Sequence, residues 1–274
     1  MSFIPQKKTK HRLRKVLFVL IAIYLMIGSS LYYLQEKLLF LPSVLEENYQ
    51  YQFNHPFEEL FLKTDDKAVI NTLHFKAEES KGVILYFHGN AGDLSRWGIV
   101  TEYFVEKNYD VLVIDYRTYG KSKGKLSEEA FYNDGQYCYD YLKQQYTESE
   151  ITLYGRSLGS GIATYLASKN NPKQLILESP YYSIMDVAKQ RFPIFPVKLL
   201  MRYEFPSYEF IKKVNCSTSI IHGTDDAVIP IKSAKKLYDV SFKDKTEFTS
   251  IEGGGHNNLI KFKRYQERIN KILE

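Results

Sequence analysis

Cysteine is scarce in this 274-residue chain, with two examples, Cys138 and Cys216. Their separation matches no metal-ligand spacing, so no cysteine-based metal site is expected and both are read as free thiols. An oxidising compartment would permit a disulfide between them without the sequence calling for one. Asn215-Cys216-Ser217 formally matches a glycosylation sequon, which matters only in a eukaryotic host. Acid is missing from the first fifteen residues, which carry Lys7, Lys8, Lys10, Arg12, Arg14 and Lys15. Charge of either sign is missing from Val16 to Leu34, "VLFVLIAIYLMIGSSLYYL". Internal repeats and low-complexity segments are also lacking.

The local charge gaps explain the bulk charge. The chain totals +5, but setting aside the six tail bases leaves 31 bases against 32 acids. A nucleic-acid binder needs its cations on the folded body, as a face or stripe. Here they sit on a tail, so nucleic acid is not an expected partner. The uncharged run is long enough, at roughly 1.5 Å per residue, to match the hydrocarbon thickness of a bilayer. A transmembrane anchor over 16–34 is therefore expected, with a cleaved secretory signal as the rival and a buried core helix as the third reading. No clear small-x-small cleavage site follows in "LYYLQEKLLFLP". Positive-inside logic keeps the 1–15 tail cytoplasmic and places the chain beyond residue 34 in a periplasm, a lumen or the exterior.

Hydrophobic residues make up 44% and aromatic (FWY) residues 15% of the chain. That is ample for one large core. The 23 tyrosines are scattered and read mainly as half-buried packing surface. A connector is expected over 35–56, then a folded domain over 57–274. "FEELFLKT" and "AVINTLHFKA" alternate as edge strands do. Short continuous apolar runs follow at 82–89, 110–116, 151–155, 175–179, 219–223 and 246–252, the pattern of strands buried on both faces. Helix-length segments at 94–107, 127–145, 158–169, 232–240 and 258–272 separate them. The alternation predicts an α/β fold, with a mostly parallel sheet flanked by helices. About 38 residues between "LILESP" and "SIIHG" break the rhythm and predict a small helical cap over 181–217.

Ligands of such sheets bind beyond the carboxyl ends of the strands. Ser157 lies there in "LYGRSLGSG", a G-x-S-x-G between strand and helix. A sharp turn at this point exposes the hydroxyl and aims the first helical N–H groups at a developing oxyanion. His256, in "EGGGHNN", is the last of six histidines and follows the last strand, as the chain order Ser, acid, His requires. His88 and His222 precede glycines at strand ends and read as structural. The acid is Asp226 or Asp225 of "HGTDDAVIP", with Glu178 at the end of "LILES" as a rival. "YFHGNAG" is similar to the loop that supplies a second oxyanion donor, which points to the backbone N–H groups of Asn90 and Leu158. Arg156 has no derivable role. No cofactor or metal is expected.

Taken in order, "YFHGNAGD", "DYRTYGKSKG", "LYGRSLGSG", "LILESPYYS", "AKQRFPIFPVKLL", "HGTDDAVIP" and "GGGHNN" span about 80 to 258. This series resembles the α/β-hydrolase-domain serine hydrolases anchored by one N-terminal membrane segment, a group that includes protein depalmitoylases. The resemblance implies the α/β-hydrolase fold and a triad of Ser157, Asp226 and His256. It also implies that Asp115, Tyr116 and Arg117 shape the site from a neighbouring loop. Thr118 stands where the family usually has glycine. The expected activity is cleavage of a carboxylic ester or thioester, small or lipid-derived, through an acyl-enzyme. A peptidase of the same fold and a non-catalytic, membrane-tethered interaction protein are the alternatives. Tyr181, Tyr182, Phe192 and Phe195 of the cap are candidates for an apolar acyl pocket, with core packing an equal reading.

Overall fold

The structure, a computed structural model, describes residues 6–274. Residues 1–5 of the expected tail lie outside the described residues. Helix α1 (Gln6–Tyr33) runs through the basic residues into the apolar stretch without a break. Over Lys10–Tyr33 it is long and apolar enough to cross a membrane, and none of its most apolar stretch is buried inside the protein. Side chains such as Phe18, Leu25 and Met26 are 60–70% exposed. Such a surface suits the hydrocarbon of a bilayer. The chain is that of a membrane protein.

The connector is structured. It holds the short helix α2 (Gln35–Leu39) and strand β1 (Leu41–Pro42). The main sheet contains β2 (Phe57–Lys63), β3 (Val69–Phe75) and β4 (Val83–Phe87). After the two-residue β5 (Ala91–Gly92) and α3 (Leu94–Val105) come β6 (Asp110–Ile114) and α4 (Glu128–Leu142). Next are β7 (Ile151–Arg156), α5 (Leu158–Ala167) and β8 (Gln174–Glu178). The interval that breaks the rhythm folds as α6 (Ile184–Arg191), α7 (Val197–Leu200) and α8 (Ser207–Phe210). The chain ends with β9 (Ser217–Gly223), α9 (Ile231–Asp239), β10 (Thr246–Ile251) and α10 (Lys263–Leu273).

Eight strands pair in the order β10-β9-β8-β7-β4-β6-β3-β2. Six of them, from β10 to β6, are parallel, and β3 and β2 add the antiparallel edge that alternation predicts. Period-two alternation splits the core between two faces. Leu85, Phe87, Leu153 and Leu177 pack toward α4 and α5, while Ile84, Tyr86, Tyr154 and Ile176 pack toward α3 and α10. Each such side chain contributes about 1.5–3 kcal/mol by leaving water. Polar side chains start the helices, where an oxygen is needed to accept from an unpaired first-turn amide. Asp93 accepts from the Ser95 amide at 2.7 Å and Ser127 from the Ala130 amide at 3.0 Å.

The tyrosines are more deeply placed than their scatter predicts. Tyr109, Tyr116, Tyr119, Tyr139, Tyr154, Tyr181 and Tyr265 are among the largest fully buried side chains. Each hydroxyl has found a partner. That pairing is what makes burial of a phenol tolerable. Both cysteines are free thiols. Burial pushes the Cys216 thiol up to about 11.

The loop after β6 contains the departure from the family pattern. Thr118 has a φ of 74°. That is the left-handed region where glycine belongs. A side chain there costs about 1–2 kcal/mol, more than the ~0.4–1 kcal/mol of unfolded-state entropy that glycine adds. Thr118 is solvent-exposed, so replacing it removes little packing. Thr118→Gly is therefore expected to raise the thermal midpoint by about 1–3 °C. A midpoint that stays put or falls in a melting curve of the detergent-solubilised protein would refute this account.

Candidate active site

Strand β7 delivers the chain to Ser157, whose φ of 51° and ψ of −116° make the sharp turn that exposes its hydroxyl. The Ser157 amide donates to the Glu178 carbonyl at 2.9 Å, tying the turn to the end of β8. Glycine at 159 is required by proximity: a Cβ there would lie 2.1 Å from the Phe87 carbonyl oxygen. Helix α5 can therefore start directly against β4.

His256 and Asp226 arrive from two other strand ends. Gly223 closes β9 so tightly against the next loop that a Cβ on it would meet the Gly254 carbonyl at 2.1 Å. The Asp225 amide donates to that same carbonyl at 2.9 Å, so the Asp226 loop and the His256 loop move as one. Asp226 Oδ1 accepts from the Val228 and Ile229 amides at 2.9 and 2.8 Å. Its Oδ2 lies 2.7 Å from His256 Nδ1, and His256 Nε2 lies 2.9 Å from Ser157 Oγ.

A carboxylate only accepts, so Nδ1 carries the proton. Nε2 is then the acceptor facing the serine hydroxyl, the arrangement a general base needs. Burial pushes the Asp226 carboxyl up, but the hydrogen bond and charge of His256 and the Ile229 amide pull it down further. The net pKa lies below the ordinary carboxylate value, which keeps the acid ionised. Burial pulls the nearby His222 down, favouring a neutral ring. Its Nε2 bonds to the Ile229 carbonyl at 2.8 Å, within the turn that presents Asp226.

The loop carrying Asn90 is braced from below. His88 Nδ1 bonds to the Gly89 carbonyl at 2.6 Å. Peptide planarity then turns the Asn90 N–H of the same peptide the opposite way. Tyr116 donates to the His88 carbonyl at 2.7 Å and Tyr119 to the Asn90 carbonyl at 2.8 Å. His88 Nε2 stands 3.3 Å from the fully buried Asp115 carboxylate, whose pKa burial raises. Asp115 also accepts from the Leu94 amide at 3.1 Å, at the start of α3. Arg117 points elsewhere, clamping Asp134 and Asp66 between α4 and the β2–β3 turn.

Two residues acquire roles that the linear pattern did not reveal. Arg156 holds Glu178 through Nε at 3.2 Å and reaches the His256 carbonyl and Asn257 Oδ1 at 3.3 and 3.2 Å. Its guanidinium lies over the Trp97 ring, 5.3 Å from the centroid. At that separation the cation is attracted to the negative face of the indole. Arg156 thus braces the His256 loop against β8 and α3. The carboxylate bonded to the imidazole is that of Asp226, while Glu178, the rival acid, is occupied by Arg156, Tyr154 and Tyr265. Its position at a strand end was visible in the sequence, but its partners, 22 to 87 residues away, were not.

A cavity of about 650 Å³ lies over Ser157, with Asn90, Leu158 and His256 in its wall. Leu158 is fixed by Tyr181, whose hydroxyl donates to the Leu158 carbonyl at 3.0 Å. Of the four aromatic residues considered for an acyl pocket, Phe192 lines this cavity. Tyr181 is instead buried beneath α5, and Tyr182 stacks on Tyr208 at 4.6 Å. Phe195 stands beyond the cavity, against Tyr24 of α1. The cap presents α6 to the cavity, Tyr181 anchors the start of the cap beneath α5, and Tyr182 packs on Tyr208 within the cap. The connector supplies Leu38, Leu39 and Leu41 to the same cavity.

A parallel sheet with a strained serine between strand and helix, facing a histidine and an aspartate from the last two strand ends, defines the serine-hydrolase class of α/β proteins. Comparison with known proteins gives the same class. The Hydrolase_4 family, serine aminopeptidase S33, matches residues 78–204. Protein bem46 of Schizosaccharomyces pombe is 30% identical over 219 residues, covering 76% of this chain and 73% of its own. The lysophosphatidylserine lipase ABHD12 of Danio rerio is 33% identical over 193 residues, covering 62% of this chain and 50% of that protein. The chain thus spans half the length of that lipase. Among solved structures, the Pyrococcus furiosus esterase Pf2001 superposes with a TM-score of 0.68 at 17% identity, covering 86% of this chain and 97% of that one. This last likeness bears on the fold. The chain belongs to the α/β-hydrolase-domain serine hydrolases and is a hydrolase by family.

Proposed function

We propose that this protein cleaves carboxylic esters or thioesters of lipid-derived acyl groups, with Ser157 as nucleophile, His256 as base and Asp226 as orienting acid. The observation that carries the reading is the pair of hydrogen bonds, 2.9 and 2.7 Å, aligning Ser157 and His256, which line the cavity, with Asp226 behind them. Ser157 Oγ attacks the acyl carbon as His256 Nε2 takes its proton, and Asp226 stabilises the imidazolium. The amides of Leu158 and Asn90 receive the oxyanion. His256 then protonates the leaving group, and water, activated by the same base, releases the acid. Among the described residues lining the cavity there is no carboxylate, while Arg96 and Arg191 sit exposed at its rim. That charge pattern suits an anionic amphiphile, and ABHD12 relatives are lysophosphatidylserine lipases. The Hydrolase_4 description supports peptide cleavage as the second reading, although its match stops at residue 204, before the acid and the base.

A fluorophosphonate probe applied to membranes carrying the protein should label it, and Ser157→Ala should abolish the label. A label that survives the substitution refutes the mechanism. Hydrolysis of p-nitrophenyl esters without hydrolysis of peptide amides separates the two substrate readings, and the reverse result selects the peptidase. The tail is placed in the cytoplasm and the hydrolase domain outside it, because the tail is basic and the far flank has only Lys37 nearby. A periplasmic reporter fused after Glu274 that stays inactive overturns that orientation.

A further inference from the structure

The apolar end of the catalytic cavity does not stop at the protein's edge. Leu38 and Leu39 of α2 face Ala188 of α6 and Phe192 just after it across the cavity, and the same four residues begin a second, almost wholly apolar cleft. That cleft runs on to Leu31 of α1 and to Phe195 and Leu200 of the cap. Phe195 and Leu200 in turn border a third hollow against Gly28 and Tyr24 of α1. A continuous apolar surface therefore leads from Ser157 to the side of the membrane-spanning helix.

The cap is fastened to that helix. The ring of Phe195 stacks on Tyr24 with centroids 4.8 Å apart and planes 4° from parallel, and the Tyr24 hydroxyl donates to the Ile194 carbonyl at 3.0 Å. Gln35 bonds to the Leu200 carbonyl at 3.1 Å and accepts from the Arg202 amide at 2.8 Å. Tyr24 lies nine residues before the end of α1. At the helical rise this is about 14 Å along the axis. The turn between α6 and α7 thus lies beside α1 about two and a half turns before that helix ends. Outward residues of this part of the cap are apolar, with Ile194 of the turn and Leu199 of α7 73% and 78% exposed. Apolar side chains so exposed beside a membrane anchor lie in the acyl region of the leaflet.

We infer that the cleft between α2 and the α6–α7 turn is an acyl-chain channel, open sideways to the bilayer. A single-chain acyl ester resident in the same membrane reaches the serine through it without passing through water. The inference rests on the proposed ester hydrolysis and adds the route and the chain-binding wall. The hydrocarbon tail lies between Leu38 and Ala188 and trails past Phe195 along α1, while the carbonyl reaches Ser157 and the polar head faces Arg96. Each methylene kept out of water in the channel tightens binding about fourfold. Long chains are thereby favoured over short ones, which end before the channel begins.

The test uses the full chain in phosphatidylcholine vesicles. Ala188→Trp fills the channel from one wall, and Leu38→Trp, at a position 58% exposed, narrows it from the other without entering the core. For each variant the ratio of kcat/KM for p-nitrophenyl palmitate to that for p-nitrophenyl butyrate is compared with the parent protein. A fall of tenfold or more in both variants is expected, and an unchanged ratio in either overturns the channel. A second arm places 4-methylumbelliferyl palmitate either in the enzyme's own vesicles or in separate ones. Hydrolysis should be at least tenfold faster when they share a membrane, and equal initial rates overturn sideways access. Loss of Ser157-dependent butyrate hydrolysis in the parent protein would instead count against the ester reading itself.

Discussion

Ser157→Ala is expected to lower kcat for p-nitrophenyl butyrate by about 10⁶-fold while leaving the thermal midpoint within about 2 °C, because the change removes the attacking atom and little else. Among the described residues the hydroxyl bonds to His256 alone, whereas the Ser157 backbone is held independently by Glu178 and Ser160. Alanine has the same backbone tolerance at φ of 51° that serine has, so the turn persists. The proposed oxyanion donors and the cavity remain and should leave a residual rate about 10³–10⁴ above water. Initial-rate measurements with active-site titration decide the matter. A variant keeping more than about one hundredth of the parent rate would mean that another nucleophile attacks.

Asp226→Asn is expected to cost about 10⁴-fold in kcat with little change in KM. The asparagine amide oxygen can still accept from Val228 and Ile229, so the turn after β9 survives. Its NH₂ then faces His256 Nδ1, which becomes an acceptor and leaves the proton on Nε2. That tautomer meets Ser157 as a donor and cannot take its proton. The substitution also changes acid stability. The depressed pKa of Asp226 supplies stability that is fully present above the unfolded carboxylate value of 3.8 and is lost as the pH falls below it. The asparagine variant should lack that component of acid unfolding. Near-parental kcat, or an identical acid limb in a denaturation series, would show that Asp226 does not orient the base.

Much of the hydrolase body could be read along the chain because its signals are local. Strands buried on both faces need uninterrupted apolar runs. That is why "VILYF", "ITLYG" and "LILE" stand out without any knowledge of their neighbours. The serine turn is compact too: a Cβ on Gly155 would meet the Gly159 carbonyl at 2.6 Å, and one on Gly159 would meet the Phe87 carbonyl at 2.1 Å, so glycine is needed on both sides of Ser157. The order of the acid and histidine loops follows from strand order. Thr118 was conspicuous as a non-glycine, and its positive φ gives the reason that glycine is usual there.

The features that were not legible depend on residues far apart. Arg156 gained its role from Trp97, Glu178 and the His256 loop, the last of them 100 positions away. The connector looked like a spacer, yet β1 pairs with the loop that carries Asn90, at Leu41–Ala91, and α2 forms a wall of the cavity. Tyr181 and Tyr182 drew attention as cap aromatics, but which way a ring turns depends on Leu158 and Tyr208. The buried tyrosines likewise required knowledge of which hydroxyl meets which acceptor.

The sequence by itself determined the class of fold, the order of its chemical loops and the presence of a helix able to cross a membrane. Each of these is written in short-range periodicity or in residues confined to one turn. Tertiary structure decided which carboxylate meets the imidazole, what braces it, and where the cavity leads. The reason is that hydrogen bonds and apolar walls form between segments whose distance along the chain, 170 residues from Tyr24 to Ile194, says nothing of their distance in space.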